Sequence, residues 1–149
     1  MKRKILIVED NVGLSQIQKD WLSRAGYDAV TAMSEPIARS LIRRMQFDLI
    51  LSDVRLPEGN GISLLEWLRK EKKDIPFIIT TEYVSVPDVV RTIKLGARDY
   101  LPKPVHREHL LELAEDVFHP VATVRKQERQ LFHRTSPIIL KVEKFARLV

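Results

Sequence analysis

The stretch LILSDVRLPEGNG, residues 49–61, contains the end of an apolar run and the start of a loop. The run closes on Ser52 and Asp53, and a proline and two glycines follow within a few positions, so the segment after Asp53 is not helical. Aspartate is common where strands turn. It also stands at the carboxyl ends of strands in parallel sheets, where ligands bind. The rest of the chain decides between these two interpretations.

Five short apolar runs alternate with segments of helical periodicity in the first 118 residues. The first, third and fourth are apolar almost throughout, as expected for strands covered on both faces. Ser34 and Asp88 are predicted helix starts, and the glycines of AGY and LGA are predicted helix ends. The alternation predicts an open parallel α/β sheet with right-handed crossovers. The runs are KILIV (4–8), DAVTAM (28–33), FDLILS (47–52), PFIITT (76–81) and DYLP (99–102).

Each predicted helix carries an apolar stripe at helical spacing, which we expect to pack on the sheet. The stripes are Leu14, Ile17, Trp21 and Leu22; Ile37, Leu41, Ile42 and Met45; Ile62, Leu65, Trp67 and Leu68; Val86, Val89, Val90 and Ile93; and Leu110, Leu111, Ala114 and Val117.

The composition is that of one globular domain with a short additional segment: 149 residues, 44% hydrophobic and 30% charged. No apolar run approaches the ~20 residues of a membrane helix, and the basic start lacks the long apolar stretch of a signal peptide. The absence of cysteine excludes disulfides and thiolate metal sites and favours a cytoplasmic protein without a membrane partner. Residues 119–149 contain seven basic and two acidic residues, which equals the whole net charge of +5. The boundary near residue 118 follows from this shift.

Five chemically suited side chains stand at the predicted carboxyl ends of the strands: Glu9, Asp10, Asp53, Thr81 and Lys103. Clustered carboxylates repel one another unless a cation relieves them, and oxygen ligands suit Mg²⁺. A carboxylate can also act as a nucleophile towards phosphorus. An ammonium and a hydroxyl would then stabilise the transferring phosphoryl group. Taken singly, Asp10 as a helix cap, Lys103 as a solvated lysine and Thr81 as a strand former are the better interpretations; together the five favour a site.

The segments ILIVEDN, DLILSDVRLPEGNG, PFIITTE and LGARDYLPKP, in this order and spacing, resemble the receiver domain of two-component response regulators. The resemblance covers roughly residues 3–118. It implies a flavodoxin-like, doubly wound five-stranded parallel sheet of order 2-1-3-4-5, the known order of that fold, followed by a helical linker. It also implies that the partner is a sensor histidine kinase. The chain itself would act as a phosphoacceptor and not as an enzyme.

By position, the resemblance implies that Asp53 is the phosphoacceptor. It implies that Glu9, Asp10 and Asp53 bind Mg²⁺, together with the backbone carbonyl of Arg55. The domain would assist its own phosphorylation and dephosphorylation with this ion.

The same resemblance assigns contact with the phosphoryl group to Lys103 and the switch hydroxyl to Thr81. Tyr100 would be the aromatic partner that turns inward when Thr81 moves. The Lys103–Pro104 peptide bond would be cis.

The sequence departs from the family pattern at three positions. Glu9 replaces the more frequent aspartate but still permits metal binding, and Asn60 stands where the loop more often has aspartate. Glu82 places a carboxylate where the family usually has a small residue, which adds like charge near a phosphoryl group. The alternative function is therefore a phosphorylation-independent protein-interaction module, a pseudo-receiver.

Other chemistries are less well supported. A phosphatase using Asp53 as nucleophile would need a second acid where Arg55 stands. His106 and His109 share a helical face but lack a third ligand, so solvated surface is the better interpretation. The sequence contains no G-x-x-x-x-G-K-[ST] loop for nucleotide phosphates.

Three segments are predicted: a receiver domain at 1–118, a basic helical linker at 119–135 and the start of a following, truncated effector domain at 136–149. The last segment resembles the opening of the AAA+ module of sigma-54-dependent activators, so DNA contact is expected only through an effector absent from the chain.

A seam of about three heptads continues the fifth helix. Val117, Val121 and Val124 would face solvent in a monomer, which predicts a homodimer through the fifth helix and residues 117–131; a solvated linker helix is the alternative. The seam is Leu110, Ala114, Val117, Val121, Val124 and Leu131.

Overall fold

The computed structural model of the protein describes residues 2–82 and 86–119. The strands are β1 (Lys4–Val8), β2 (Asp28–Ala32), β3 (Leu49–Asp53), β4 (Arg55–Leu56), β5 (Gly59–Asn60), β6 (Phe77–Thr81) and β7 (Asp99–Pro102). The helices are α1 (Val12–Arg24), α2 (Glu35–Arg44), α3 (Gly61–Lys70), α4 (Val86–Lys94) and α5 (Arg107–Phe118).

The five longer strands form one parallel sheet in the order β2-β1-β3-β6-β7. Numbered among themselves, these strands have the order 2-1-3-4-5, so the predicted flavodoxin-like topology is confirmed. The order reverses between β1 and β3, and at such a point the carboxyl ends of strands open into a crevice. The small strands β4 and β5 pair antiparallel in the loop after β3.

Two apolar clusters cover the two faces of the sheet. Successive residues of β1 alternate between them: Ile5 and Ile7 belong to one cluster, and Leu6 and Val8 to the other. Strands β3 and β6 are buried along their whole lengths. Burial on both faces is the reason why these strands read as continuous apolar runs.

Helix ends follow the capping chemistry of the sequence. The Ser34 hydroxyl accepts a hydrogen bond from the N–H of Ile37 and caps α2, as predicted. Gly26 and Gly96 have φ of 98° and 92° after α1 and α4, where a side chain would be strained. Asp88, a predicted helix start, lies two residues inside α4 instead, because Pro87 fits the first turn of a helix.

The predicted helix faces are wrong at three isoleucines: Ile17, Ile37 and Ile93 are each 47–48% exposed. In α1, the buried residues are Ser15, Gln18 and Leu22, so Leu22 of the predicted stripe is buried and Trp21 packs half-buried against the core, while Ile17 is exposed. Ile17 precedes the buried Gln18 by one residue, which turns a helix by about 100°, so Ile17 lies off the packed face.

The C-terminal predictions fall largely on residues that are not described. The linker beyond His119, the segment 136–149 and the seam residues Val121, Val124 and Leu131 lie outside the described residues. Val117 is described, and it packs half-buried against the core beside Phe118, so the expectation that it faces solvent is wrong. None of the helices in 2–82 and 86–119 combines the length and apolar character that a bilayer crossing needs.

Candidate functional site

A cavity of about 510 Å³ opens at the carboxyl ends of the parallel strands. Four chain segments supply its polar wall, because each strand of the sheet runs towards this edge before the chain turns away. The lining residues are Glu9, Asp10, Asn11, Leu14, Asp53, Arg55, Leu56, Pro57, Thr81, Glu82 and Lys103. All five side chains that the sequence placed at this edge therefore share one cavity.

The Lys103 ammonium joins two carboxylates at the centre of the site. Its Nζ donates to Glu9 Oε1 at 2.6 Å and to Asp53 Oδ2 at 2.7 Å. The side chains are 9% exposed for Lys103, 2% for Glu9 and 10% for Asp53. Charged groups so far removed from water must be paired, and one cation here serves two anions.

Burial and pairing shift the pKa values of this group. Burial raises the pKa of Glu9; the Lys103 ammonium and the Asn11 N–H lower it only in part, and the Asp53 charge raises it further. Burial works to lower the pKa of Lys103, but its hydrogen bonds and ion pairs with Asp53 and Glu9 prevail and raise it. Lys103 is therefore held protonated, and its single ammonium group serves two carboxyl groups.

Three carboxylates are close enough to share one metal ion. Glu9, Asp10 and Asp53 each offer an oxygen, and these oxygens lie within 4.8 Å of one another. Two of the carboxylates are buried and Asp10 is exposed at the cavity. An all-oxygen donor set with one side open to water matches the coordination that Mg²⁺ prefers. The residues present fit a magnesium ion.

Asp10 is available for this role because its neighbour caps the helix. The Asn11 side chain accepts a hydrogen bond from the N–H of Leu14 at 3.0 Å and is the N-cap of α1. The Asn11 N–H also donates to Glu9 Oε2 at 3.1 Å and so orients that carboxylate. The interpretation of Asp10 as the helix cap is thus wrong. Asn11 was missed as a site residue, because Asp10 and Asn11 are adjacent cap formers and the sequence alone does not decide between them.

The backbone around Asp53 is tightly enclosed. The Arg55 N–H donates to Asp53 Oδ1 at 3.3 Å, and the Ser52 hydroxyl donates to the Asp53 carbonyl at 2.9 Å. A Cβ added to Gly61 would lie 2.3 Å from the Asp53 carbonyl oxygen. Ser52 and Gly61 were not found from the sequence, because the approach of α3 to the end of β3 is a tertiary feature.

The remaining predicted residues divide between the cavity and the core. Thr81 ends β6 and is 5% exposed at the cavity, with the exposed Glu82 beside it. Tyr100 does not line the cavity: it is 6% exposed, and its side chain is part of the core. The Lys103–Pro104 peptide bond is cis, as predicted.

His106 and His109 belong to no group of possible metal ligands in the described part of the chain. Within the described residues, the one group of side chains that could hold a metal ion consists of Glu9, Asp10 and Asp53. His106 is exposed at the start of α5, and His109 is half-buried one turn further on.

Comparison with known proteins agrees with this geometry. The sequence profile of the family described as "Response regulator receiver domain" matches residues 5–115. The chain is 32% identical to the transcriptional regulatory protein GlrR of Escherichia coli over 146 residues, 97% of this chain and 33% of GlrR. It is 35% identical to the response regulator protein PilR of Pseudomonas aeruginosa, over 75% of this chain and 25% of PilR. For ZraR of Salmonella typhimurium, the identity is 38% over 76% of this chain and 26% of ZraR. The chain thus spans a quarter to a third of the length of these relatives.

Solved structures show the same fold. The receiver domain of HemR from Leptospira biflexa has a TM-score of 0.75 and 36% identity, and the match covers 81% of this chain and 98% of that one. A CheY-like receiver domain from Methanospirillum hungatei has a TM-score of 0.75 and 31% identity over 79% of this chain and 95% of its own. Profile, relatives and structures together show that the chain belongs to the receiver domain family of two-component response regulators.

Proposed function

We propose that this receiver accepts a phosphoryl group on Asp53 from a phosphohistidine of a sensor kinase. The observation that carries the proposal is the Asp53 carboxylate, held by Lys103 at 2.7 Å on the wall of an open cavity. A carboxylate placed only to end a strand would have no need of a buried ammonium, since it would be solvated instead.

The residues of the site suit an in-line phosphoryl transfer. An Asp53 oxygen attacks phosphorus and forms an acyl phosphate, while the bond from phosphorus to the donor imidazole nitrogen breaks and its electron pair stays on that nitrogen. Lys103 offsets the charge of the phosphoryl oxygens, and the Thr81 hydroxyl donates a hydrogen bond to one of them. The reaction modifies the protein itself, so the domain assists its own phosphorylation and dephosphorylation without turning over a separate substrate.

Magnesium completes the proposed site. Glu9, Asp10 and Asp53 would hold the ion, together with the backbone carbonyl of Arg55. When bound, it supplies positive charge between the carboxylates and the phosphoryl oxygens. Three carboxyl groups stand around one ammonium group here, and this imbalance is the local reason for a second cation.

The output of the site is proposed to pass through Thr81 and Tyr100. Thr81 pairs with Pro102 in the sheet, and Tyr100 pairs with Ile79, so the two lie on adjacent strands. Tyr100 is 6% exposed and belongs to the core cluster, which supports this role. Movement of Thr81 towards a phosphoryl group would stabilise that position and transmit phosphorylation to the surface of β7.

The direct test is mass spectrometry after incubation with Mg²⁺ and a small phosphodonor such as acetyl phosphate. The chain is expected to gain one phosphoryl group, and Asp53→Asn is expected to gain none, because an amide oxygen is a poor nucleophile. Failure of the wild type to gain mass would favour the pseudo-receiver alternative suggested by Glu82. A gain that persists in Asp53→Asn would refute Asp53 as the acceptor.

Magnesium is expected to stabilise the protein without any phosphodonor. At about one hundred times its Kd, the ion adds about 2.7 kcal/mol by mass action, which raises Tm by about 5–10 °C. Asp10→Ala should remove this increase, since it deletes one ligand while the buried ion pairs of Lys103 remain. Calorimetric scans with and without Mg²⁺ measure both. An equal increase in Asp10→Ala would show that the three carboxylates do not form one site.

The partners proposed for the whole protein come from its relatives. The similarity to GlrR covers 97% of this chain, so it extends beyond the receiver into the basic tail. This extension supports a linker at 119–135 and an effector of the sigma-54-activator type after it, through which DNA would be contacted. We also propose that the protein is cytoplasmic, because Asp53 must meet the phosphorylated histidine of the kinase in the same compartment.

We also propose a homodimer through α5 and the segment 117–131. Because Val117 packs on the domain core, the interface would rest on the seam positions beyond it. Each buried valine contributes about 1.5–3 kcal/mol at best, which favours a dimer at micromolar concentration. Sedimentation of the full chain should show a dimer where a chain ending at Phe118 is a monomer. If both chains are monomers at tens of micromolar, the seam residues form only a linker and the dimer proposal is refuted.

A further inference from the structure

Glu35, the first residue of α2, is a buried carboxylate outside the cavity that the proposed function does not use. It is 4% exposed. Its Oε1 accepts a hydrogen bond from the Asn60 N–H at 2.9 Å, and its Oε2 pairs with the Arg39 guanidinium. Arg39 also lies over the Trp67 ring, with its Cζ 5.3 Å from the ring centroid. Both carboxylate oxygens are therefore engaged, one of them by the backbone of β5.

The backbone of β5 passes unusually close to this carboxylate. A Cβ added to Gly59 would lie 2.0 Å from Glu35 Oε1 and 3.0 Å from the Glu35 Cβ. Only a glycine allows such an approach, and Gly59 has a φ of 153°. The Glu35 side chain and the loop after Asp53 therefore pack closely against each other.

The β4–β5 ladder connects this contact to the metal site. The Gly61 N–H donates to the Val54 carbonyl at 2.8 Å, while the Val54 N–H donates to the Thr80 carbonyl, so a single hydrogen bond joins Val54 and Gly61 at the end of the ladder. Pairs alternate in an antiparallel ladder, and the next pair, Arg55 with Asn60, directs its backbone groups outward on opposite sides. The Asn60 N–H meets Glu35 on one side. On the other, the Arg55 N–H donates to Asp53 Oδ1 at 3.3 Å. In an extended strand, the carbonyl of a residue is directed to the same edge as its N–H, which assigns the Arg55 carbonyl to the edge beside Asp53.

We propose that Glu35 is a positioning residue of the metal site. It fixes the β4–β5 ladder so that the Arg55 carbonyl faces Asp53, and it thereby sets the affinity for Mg²⁺. The inference rests on the proposed magnesium-dependent function and adds a residue to it. A purely structural Glu35 would stabilise the start of α2 without affecting the metal.

The test measures Mg²⁺ binding to the full chain by titration calorimetry, well below Tm. Glu35→Ala should raise Kd at least about tenfold, as the loss of outer contacts does at other metal sites. Glu35→Gln keeps an oxygen that accepts from Asn60 and should stay within about threefold of the wild type. Arg39→Ala is the matched control: it breaks the same ion pair but leaves the bond to Asn60, so Tm should fall with little change in Kd.

A second measurement needs no metal. In the metal-free protein, the Asn60 amide hydrogen of Glu35→Ala should exchange with solvent at least tenfold faster than in Arg39→Ala. Should Glu35→Ala not fold, Gly59→Ala replaces it, because the added methyl displaces the same carboxylate and should raise Kd likewise.

The outcomes separate this inference from the function on which it rests. If the parent chain binds Mg²⁺ and Glu35→Ala, or Gly59→Ala in its place, binds it with the same Kd, the positioning role alone is overturned. An equal rise of Kd in Arg39→Ala overturns it as well, because general destabilisation would then explain both. No Mg²⁺ binding by the parent chain overturns the inference and the metal-dependent function together.

Discussion

Replacement of Lys103 by methionine is expected to destabilise the metal-free protein by about 3–5 kcal/mol at neutral pH. The substitution keeps the length of the apolar stem but removes the ammonium that bonds both Glu9 and Asp53. Two buried carboxylates would then face each other without a cation. Urea unfolding in the presence of a chelator measures the loss.

The destabilisation by Lys103→Met should depend on pH in a defined direction. The pKa of Glu9 is raised above 4.5 in the folded protein, so folded Glu9 holds its proton more tightly than unfolded Glu9 does. Stability therefore falls as the pH rises from about 4.5 through the folded-state pKa. Removing Lys103 deletes the ammonium's lowering effect and leaves burial and Asp53, both of which raise the pKa. The difference from the wild type should thus be smallest at acid pH and grow towards neutrality.

A matched control is Lys4→Met. Lys4 pairs with Asp28 at 3.7 Å, and both side chains are substantially exposed, so the change should cost no more than about 1 kcal/mol at any pH. Millimolar Mg²⁺ should restore part of the stability of Lys103→Met but not its phosphorylation rate. Equal stability of Lys103→Met and wild type at pH 7 without metal would contradict the buried cluster.

Replacement of Gly61 by alanine is the second substitution with a large expected effect. Its methyl group would lie 2.3 Å from the Asp53 carbonyl oxygen and 3.0 Å from Ser52 Oγ. The nearer obstacle is backbone in a buried strand, which cannot move aside as a side chain would. We expect a loss of about 3 kcal/mol or more. We also expect a severe loss of phosphorylation, because the end of β3 and Asp53 must shift.

Gly13→Ala provides the comparison. A Cβ on Gly13 would approach nothing closer than Asn11 Oδ1 at 3.4 Å, an ordinary contact, and α1 is helical there. Alanine in a helix is favoured over glycine by about 0.5–1 kcal/mol, so this variant should be slightly stabilised and phosphorylated normally. If Gly61→Ala were as stable and as active as Gly13→Ala, the close packing of α3 on Asp53 would be refuted.

Features that depend only on residues close together in the sequence could be predicted from it. The five strands, the cap at Ser34 and the glycines that end α1 and α4 all follow from local periodicity and backbone preference. The parallel topology then implied that the strand ends meet at one edge. The shared location of Glu9, Asp10, Asp53, Thr81 and Lys103 was derived in this way, without knowledge of any contact.

Features that depend on packing could not be predicted. In α1, the polar Ser15 and Gln18 are buried and the apolar Ile17 is exposed, the reverse of what their polarity predicts. Asn11 rather than Asp10 caps α1, a choice between adjacent cap formers that hydrogen-bond geometry decides.

The sequence by itself determined the order of elements and the residue types at the site edge, since both are written in short-range patterns. Only the tertiary structure decided which groups pair. Lys103 meets Glu9 across 94 positions of the chain, and Glu35 meets Asn60 across 25. Such pairings depend on the register of strands and the docking of helices, which many distant side chains fix together. No local segment encodes them, and so the ion-paired centre and the support of the β4–β5 ladder emerge only when the sheet is assembled.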